Sequence, residues 1–424
     1  MKIVMFTNTY LPHIGGVARS VKTLEDDCRA LGHEVKVVAP AFDGAQESPD
    51  VIRVPAIQNF NGSDFSVRLP SPGLIHGLIR EFEPDIIHTH HPFLLGDAAL
   101  REGPRNGIPV VFTHHTLYEQ YTHYVPGNSD ALKRVAIQLA TEFCNLCDHV
   151  IAPSESITKL LADRGVESPV TTVPTGIDVA DFANADGASF RKQYGIADDA
   201  ILIGHVGRLA HEKNLPFLAN ALRHALEKNN TVHVAIVGGG PAKEEIEKTL
   251  GPERVSITGP LQGAELTAAY AAFDVFAFAS QSETQGMVLA EAMSASTPVV
   301  ALDGPGVREI VVDGVNGFLL PGDASEKQFA TRLCQLCDDA AFREKASQAA
   351  AETAREYDRR KTCARVLEIY QQLASDSRAE NRGNFTPWDK ALAAISTEWE
   401  LAAAKLSAAG AAVADTRATA ARLD

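Results

Sequence analysis

The chain of 424 residues lacks most features that mark membrane, secreted and nucleic-acid-binding proteins. It has no run of 18 or more apolar residues, which argues against a membrane-spanning helix. Its six cysteines are scattered, so we expect no disulfide framework and a reducing, cytoplasmic compartment. Basic residues number 39 against 54 acidic ones, and the net charge of -15 argues against a nucleic-acid partner.

The pattern that is present is an alternation of short apolar strands with helices. Hydrophobic residues make up 45% of the chain, enough for more than one core. The predicted strands are Ile3–Phe6, Glu34–Ala39, Asp85–His88, Val110–Thr113, His149–Ala152, Ile201–His205, Val232–Val237, Val255–Thr258, Val275–Ala279 and Pro298–Ala301. Strands that alternate with helices predict parallel sheets covered on both faces. The N-terminal apolar run therefore reads as a first strand and not as a signal peptide.

The strand–helix rhythm breaks at Pro174–Asp178 and restarts at Ile201. We therefore predict an α/β fold of two Rossmann-like domains, at residues 1–175 and 176–373. A helical extension follows at 374–424, in which the predicted helix 388–406 carries an apolar stripe. The stripe consists of Trp388, Leu392, Ile395 and Trp399.

Two groups of residues predict binding of an anion. Gly15 and Gly16 precede a helix, where a glycine backbone can approach a phosphate and the helix N-terminus favours negative charge. Arg208 and Lys213 follow the strand that starts at Ile201, at the edge where open α/β sheets bind ligands. Their side chains can hold a diphosphate. The alternatives are an ordinary turn and a solvated loop.

Glu283 and Glu291 belong to a segment that runs from a loop into a mostly apolar helix. The first amides of that helix, after Gly286, are free to face a ligand. A carboxylate near a phosphate site would repel it, so we expect sugar or ribose hydroxyls as targets. Ordinary surface acids are the alternative, although Met287 and Met293 indicate a buried helix.

Histidines cluster at the ends of two predicted strands of the first half. They are His88, His90, His91, His114, His115 and His123. A metal site is one interpretation, but the cluster lacks convergent carboxylates apart from Asp97, so direct ligand contact is preferred.

Two Cys-x-x-Cys pairs, at 144–147 and 334–337, read as small core residues. The glycines at 238–240 suit close approach to a nucleotide.

Together these residues resemble the retaining GT-B glycosyltransferases, the family of phosphatidylinositol mannosyltransferases, sucrose synthases and diacylglycerol glucosyltransferases. The resemblance covers about residues 1–373. Its motifs are Pro12-His-Ile-Gly-Gly16, His88-Thr-His90, Phe112-Thr-His-His-Thr116, Pro174-Thr-Gly-Ile-Asp178, Gly207-Arg-Leu-Ala-His-Glu-Lys-Asn214 and the pair Glu283 and Glu291.

The resemblance implies two facing domains, an N-terminal acceptor domain and a C-terminal donor domain, with a cleft between them. It implies that the donor diphosphate is bound by Gly15, Gly16, Arg208 and Lys213, and that the loop Thr284, Gln285, Gly286 and Met287 approaches the sugar and phosphate. Glu283 then binds sugar hydroxyls, Glu291 binds the ribose, and His115 lies under the transferred sugar, which makes His115 and Glu283 the catalytic residues. The leaving phosphate helps deprotonate the acceptor, so neither a metal nor another cofactor is required beside the nucleotide sugar, expected to be a UDP-sugar.

The branch that this chain resembles most is 1,2-diacylglycerol 3-glucosyltransferase. Many family members have an aromatic residue in a Glu-x-Phe-Gly pattern, whereas here the segment is Glu283-Thr-Gln-Gly286. We expect glucose transfer to diacylglycerol or another lipid, with weak peripheral contact at the inner face of the cytoplasmic membrane. The helix at 72–82 is the candidate contact, and its apolar stripe is alternatively part of the core. Other readings are a soluble acceptor and a metal-dependent hydrolase that uses the His88–His115 cluster.

Overall fold

The structure is a computed structural model that describes residues 1–13, 15–42, 44–57, 67–68, 72–120, 129–380 and 395–405. The chain forms two compact units. The first comprises Met1–Pro174 together with Thr362–Asp424, and the second comprises Thr175–Lys361.

The first unit is built on a parallel sheet of seven strands in the order β3-β2-β1-β6-β7-β8-β9, with a separate antiparallel pair β4-β5. Its elements are β1 (Lys2–Phe6), α1 (Gly16–Ala30), β2 (Glu34–Pro40), β3 (Val51–Val54), β4 (Ala56–Ile57), β5 (Val67–Arg68), α2 (Pro72–Phe82), β6 (Ile86–Thr89), α3 (Leu95–Asn106), β7 (Val110–Thr113), α4 (Asp130–Asn145), β8 (His149–Ala152), α5 (Glu155–Asp163) and β9 (Val170–Thr172).

The second unit is built on a parallel sheet of six strands in the order β12-β11-β10-β13-β14-β15. Its elements are α6 (Val179–Ala183), α7 (Gly187–Gln193), β10 (Ile201–Val206), α8 (Leu215–Lys228), β11 (Val232–Val237), α9 (Lys243–Leu250), β12 (Val255–Gly259), α10 (Gly263–Ala272), β13 (Val275–Phe278), α11 (Met287–Ser294), β14 (Val299–Leu302), β15 (Gly317–Leu320), α12 (Glu326–Asp338) and α13 (Ala340–Ala354). The helix α14 (Arg359–Glu380) follows.

Both sheets are apolar on their two faces, which is why helices cover them. In β1, Val4 and Phe6 enter one core while Ile3 and Met5 enter the other. The two-domain Rossmann-like fold predicted from the sequence is confirmed. The strands not predicted, β3, β4, β5, β9 and β15, are short and lie at sheet edges or in the small antiparallel pair. The edge strand β9 is only partly buried, whereas β15 is apolar and mostly buried but only four residues long.

The last long helix departs from the domain division predicted from the sequence. The prediction assigned residues up to 373 to the second domain, but the chain from Thr362 onward belongs to the first unit. Cys363, Leu367 and Tyr370 of α14 are buried in the core of the first sheet beside strand β1. The apolar residues of α14 therefore pack against the hydrophobic core of the first unit.

Two short segments of the second unit lie next to each other where the chain enters and leaves it. The Ile177 amide donates to the Tyr357 carbonyl at 2.9 Å, and the Arg359 amide donates to the Ile177 carbonyl at 2.9 Å. The Arg359 side chain lies 3.6 Å from Asp178. The end of the Pro174–Asp178 motif is therefore hydrogen-bonded to the backbone of the segment that leaves the second unit.

The candidate membrane helix α2 uses its apolar stripe for packing. Ile75 and Ile79 are each only 2% exposed, and Leu78 packs against the same core. Leu74 is the member of the stripe that is exposed, at 47%. The stripe is therefore mainly core, which was the alternative interpretation. Among the described helices, none is both long and apolar enough to cross a membrane.

The C-terminal extension contains a helix at 395–405 whose buried face differs from the predicted stripe. Leu401 and Thr397 are buried, while Ile395 and Trp399 are exposed. The predicted partners Trp388 and Leu392 lie outside the described residues. Leu401 packs in the core of the first unit, and at the rim of this contact Glu398 pairs with Arg101 and Lys405 with Asp97 of α3.

The two Cys-x-x-Cys pairs are core residues, as interpreted from the sequence. Cys144 and Cys147 are buried in the first unit, and Cys334 and Cys337 in the second.

Candidate active site

The charged residues of the second unit lie at the carboxyl edge of its sheet, where the strand order changes direction. Strands β10 and β13 are neighbours although they are separated in sequence by β11 and β12. The loop after β10 carries Arg208 and Lys213, and the loop after β13 carries Glu283. Open α/β sheets bind ligands at such a crossing because the two loops diverge there.

Lys213 and Glu283 form an ion pair across the two loops. The Lys213 Nζ donates to Glu283 Oε1 at 2.6 Å, and the Ser280 hydroxyl donates to the same oxygen at 2.7 Å. Burial alone would raise the pKa of Glu283, but Lys213 and Ser280 outweigh it and hold that pKa below its ordinary value. The structure thus brings together the predicted diphosphate cation and the predicted sugar-binding acid.

Arg208 lies at the rim of the same loop and pairs with Glu212. Its side chain is 41% exposed, whereas that of Glu212 is 8% exposed. The backbone carbonyl of Glu212 accepts from the Ser282 hydroxyl at 2.9 Å, which joins the two loops a second time. Each cation of the site is therefore matched by a carboxylate.

The glycines at 238–240 pack against the loop that carries Arg208. A Cβ atom on Gly238 would lie 1.9 Å from the Gly207 carbonyl oxygen, and one on Gly240 would lie 2.4 Å from that of Leu209. The Leu209 amide also donates to the Gly239 carbonyl at 2.8 Å. The sequence indicated that another group approaches these glycines closely, and one does. That group is the backbone of another loop of the same unit.

The segment from Thr284 to Met287 turns the chain into α11. Gly286 has a positive φ of 73° and forms the N-terminal cap of this helix, so glycine suits the position. The Gln285 side chain is buried and pairs with the backbone of Thr175, accepting from its amide at 2.7 Å and donating to its carbonyl at 2.8 Å. Gln285 thus fixes the loop by a pair of contacts that the aromatic residue of other family members cannot make.

Glu291 is completely buried inside α11. The Tyr270 hydroxyl of α10 donates to Glu291 Oε2 at 2.6 Å. A buried carboxylate needs such a donor, since an unpaired charge in the core is costly. The sequence located the acid but not this partner.

The glycine turn of the first unit leads into α1 as predicted. Gly15 is the N-cap, in extended conformation, and Gly16 is the first helical residue. A Cβ atom on Gly16 would meet nothing within 4 Å among the described residues. Packing within the described chain therefore does not require glycine at this position.

The histidines of the first unit form hydrogen-bonded groups at the carboxyl ends of β6 and β7. The His88 Nε2 lies 2.7 Å from the Thr113 hydroxyl, and its Nδ1 is bonded to the Tyr370 hydroxyl. The His90 Nδ1 lies 2.9 Å from the His115 Nε2. His123 lies outside the described residues.

His91 and His114 are held separately. The His91 Nδ1 accepts from the Asn8 amide at 3.1 Å. Burial lowers the pKa of His91 to about 3 and that of His114 to about 4, so both rings are neutral at neutral pH. Among the described residues, no group of three or more histidine, cysteine, aspartate or glutamate side chains is arranged to hold a metal ion.

Both units are similar in sequence to known glycosyltransferases. Residues 14–181 match the family model Glycosyltransferase Family 4, and residues 186–353 match Glycosyl transferases group 1. A relative from Streptococcus pneumoniae, alpha-monoglucosyldiacylglycerol synthase, is 31% identical over 76% of this chain and 76% of its own length. A GDP-mannose-dependent alpha-mannosyltransferase from Mycolicibacterium smegmatis is 31% identical over 77% of this chain and 86% of its own.

Solved structures show the same fold. The sucrose-phosphate synthase of Thermosynechococcus elongatus has a TM-score of 0.73 at 20% identity and covers 88% of this chain and 99% of its own. The Anabaena protein HepE, crystallised with UDP, has a TM-score of 0.70 at 22% identity and covers 88% of this chain and all of its own. The chain belongs to the GT-B glycosyltransferases of this family. It is a glycosyltransferase, which transfers a sugar from a nucleotide-sugar donor to an acceptor.

Proposed function

We propose that the protein transfers glucose from UDP-glucose to the hydroxyl of diacylglycerol or a similar lipid, with retention of the anomeric configuration. The observation that carries the proposal is the Lys213–Glu283 pair beside Arg208 at the crossing of β10 and β13. Relatives from Streptococcus pneumoniae and Acholeplasma laidlawii, both named alpha-monoglucosyldiacylglycerol synthase, support the choice of sugar and acceptor. The complex of HepE with UDP supports the choice of nucleotide.

The donor diphosphate is assigned to Arg208, Lys213 and the glycine turn. Arg208 is exposed at the rim and can turn from Glu212 to a phosphate. The amides at the start of α11, around Gly286 and Met287, favour an anion. The open space beside Gly16 suits a close approach of the ligand to the backbone.

The two glutamates are assigned to hydroxyl groups. Lys213 and Ser280 both bind Oε1 of Glu283, and in this proposal Oε2 accepts from hydroxyls of the sugar. Tyr270 orients the carboxylate of Glu291, which accepts from the ribose. Thr284 and Gln285 shape the loop between them, Gln285 through its pairing with Thr175.

The transfer step breaks the bond between the anomeric carbon and the diphosphate. The acceptor oxygen forms its bond on the same face of that carbon, and the acceptor proton moves to the departing phosphate oxygen. His115 contacts the sugar as the reaction proceeds. Arg208 and Lys213 stabilise the charge that develops on the leaving group, so this proposal requires no metal ion.

A transfer assay tests this proposal. UDP-glucose, UDP-galactose and GDP-mannose are each offered with diacylglycerol in mixed micelles and with soluble polyols, and the product anomer is determined by NMR. We expect α-glucosyl diacylglycerol from UDP-glucose. Transfer only to soluble acceptors would replace the lipid assignment, and an inverted product would refute retention.

A lipid acceptor requires contact with a membrane surface, which we propose to be weak, peripheral and at the cytoplasmic face. Helix α2 contributes little to it, because Ile75 and Ile79 are buried and Leu74 is the exposed member of its stripe. Cosedimentation with liposomes, with and without diacylglycerol, measures the contact. Full transfer to a soluble acceptor without any sedimentation at low salt would refute it.

A further inference from the structure

The hydrogen bond between His90 and His115 joins a buried ring, that of His90, to the partly buried ring of His115, and both rings are neutral. The His90 Nδ1 and the His115 Nε2 are 2.9 Å apart, and the rings stack with centroids 5.2 Å apart. Burial holds the pKa of each ring well below its ordinary value. Each ring therefore carries one proton, and one of the two facing nitrogens must donate while the other accepts.

The surroundings of the other ring nitrogen of His90, Nε2, indicate which of the two facing nitrogens donates the hydrogen bond. His90 Nε2 is buried and has no hydrogen-bond partner among the described residues. A buried N–H without an acceptor is rarer in proteins than an acceptor without a donor. The proton of His90 is therefore more stable on Nδ1, where it has the His115 nitrogen to donate to.

His88 cannot supply the missing partner. Its ring lies against that of His90, with centroids 4.0 Å apart. Both of its nitrogens are already bonded, one to the Thr113 hydroxyl and the other to the Tyr370 hydroxyl. Contact with His88 fills the space beside His90 without offering it a hydrogen bond.

We propose that His90 is a positioning residue that donates from Nδ1 to His115 Nε2 and thereby holds His115 with its own proton on Nδ1. The relevance of this to catalysis rests on the proposed function, in which His115 contacts the transferred sugar. The lone pair of the His115 Nε2 is occupied by His90. The His115 Nε2 is therefore not available to act as a base toward a substrate. This agrees with a reaction in which the departing phosphate receives the acceptor proton.

Nitrogen-15 NMR of the full chain labelled at histidine tests the tautomer directly. A long-range proton–nitrogen spectrum separates protonated from unprotonated ring nitrogens, and a His115→Gln variant identifies the His115 signals by their loss. We expect a protonated Nδ1 and an unprotonated Nε2 on His115 in the wild type. The reverse pattern overturns the proposal. The NMR measurement of the His115 tautomer does not require the protein to be catalytically active.

Two substitutions at His90 test the positioning role. His90→Asn keeps an N–H donor near the place of Nδ1, whereas His90→Leu removes it and keeps an apolar volume. We expect His90→Leu to lower kcat about ten-fold or more, as loss of a supporting hydrogen bond commonly does, with the donor KM within about two-fold. His90→Asn should recover most of the loss and keep the His115 tautomer.

The remaining outcomes separate this proposal from the proposed function. Wild-type kcat in His90→Leu overturns the positioning role. Equal losses in the Asn and Leu variants also overturn it, because a structural role alone would produce them. If the wild-type protein transfers no glucose to any acceptor, the proposed function fails while the NMR result still decides the tautomer. If His90→Leu does not fold, the wild-type spectrum and the Asn variant decide the question.

Discussion

Ion pairs join the loops at the carboxyl edge of the second sheet, whereas the histidines at the carboxyl edge of the first sheet are joined as neutral rings. In the second unit, Lys213 pairs with Glu283 and Arg208 with Glu212. In the first unit, His90 bonds to His115, and burial keeps both neutral. The two pairs do not occupy equivalent positions, since Lys213 and Glu283 follow β10 and β13 on either side of the crossing, whereas His90 and His115 follow β6 and β7 on one side of it.

The difference determines how each edge responds to the loss of one partner. Removing one ion of a mostly buried pair leaves a charge that the interior cannot solvate. Removing one neutral partner leaves a smaller deficit, because the remaining group loses only a hydrogen bond. Substitutions in the second unit should therefore have larger effects than matched substitutions in the first.

The largest effect is expected for Lys213→Met. It removes a charge that stabilises the leaving diphosphate in the proposed reaction, so kcat should fall by roughly 10²–10³. Lys228→Met is the matched control, because Lys228 is an exposed cation of the same unit that contacts Thr331. Steady-state kinetics with UDP-glucose compare the two, and a kcat of Lys213→Met within two-fold of the control would contradict the assignment.

The same substitution should shift the acidic limb of the pH–rate profile upward. In the wild type the pKa of Glu283 lies below its ordinary value, so the ion pair is intact at neutral pH and is lost as the pH falls through the lowered pKa. Without Lys213, burial raises the pKa of Glu283 and the carboxylate protonates at a higher pH. An acidic limb that does not move would show that Glu283 does not control the reaction.

Gly306→Ala should be the next largest change. A Cβ atom there would lie 2.6 Å from the Gln285 amide nitrogen, at a φ of 72°. Gly314 has a φ of 73°, and a Cβ atom there would meet no described atom within 4 Å, so Gly314→Ala measures the backbone strain alone. We expect Gly306→Ala to lower the free energy of unfolding by about 1–3 kcal/mol more than Gly314→Ala in urea titrations. Equal losses of stability in the two variants would mean that the loop around Gln285 can move away from the added methyl group without destabilising the protein.

Two buried tyrosines give a direct comparison of the units. Tyr270 donates to the carboxylate Glu291, and Tyr370 is bonded to the neutral His88. Hydrogen bonds to charged groups contribute about 1.5–3 kcal/mol and neutral ones about 0.5–1.5 kcal/mol. Tyr270→Phe should therefore lower the free energy of unfolding more than Tyr370→Phe, and only Tyr270→Phe should weaken UDP binding measured by calorimetry. The opposite order would refute the electrostatic comparison.

The smallest effect is expected when a charge is added at an exposed position away from the carboxyl edges of both sheets. Leu74→Glu places a carboxylate at an exposed position of α2, so the free energy of unfolding should change by less than about 0.5 kcal/mol. Leu78→Glu is its counterpart, since Leu78 packs against the core and its substitution should destabilise the protein clearly. Loss of liposome binding in a folded Leu74→Glu variant would show that α2 contacts the membrane.

Much of the fold is readable from local sequence because each strand carries its own pattern. The runs at Val110–Thr113 and Val232–Val237 are strands with the predicted bounds. The position of α14 is different, since its apolar pattern does not say which sheet it covers, and its packing on the first core is seen only in the contacts of Cys363 and Tyr370. The two described members of the stripe predicted for helix 388–406, Ile395 and Trp399, are exposed, because this helix packs on the first core through Leu401 instead.

By itself, the sequence determined the class of fold and the alternation that builds it, and it singled out the residues that the proposed function assigns to the nucleotide sugar: the glycine turn, Arg208, Lys213 and the two glutamates. The tertiary structure decided their partners. Lys213 and Glu283 are 70 residues apart, and His90 and His115 are 25 apart. Periodicity reports only which face of an element is apolar. Which polar groups meet depends on the order of strands in the sheet and on which loops that order brings side by side.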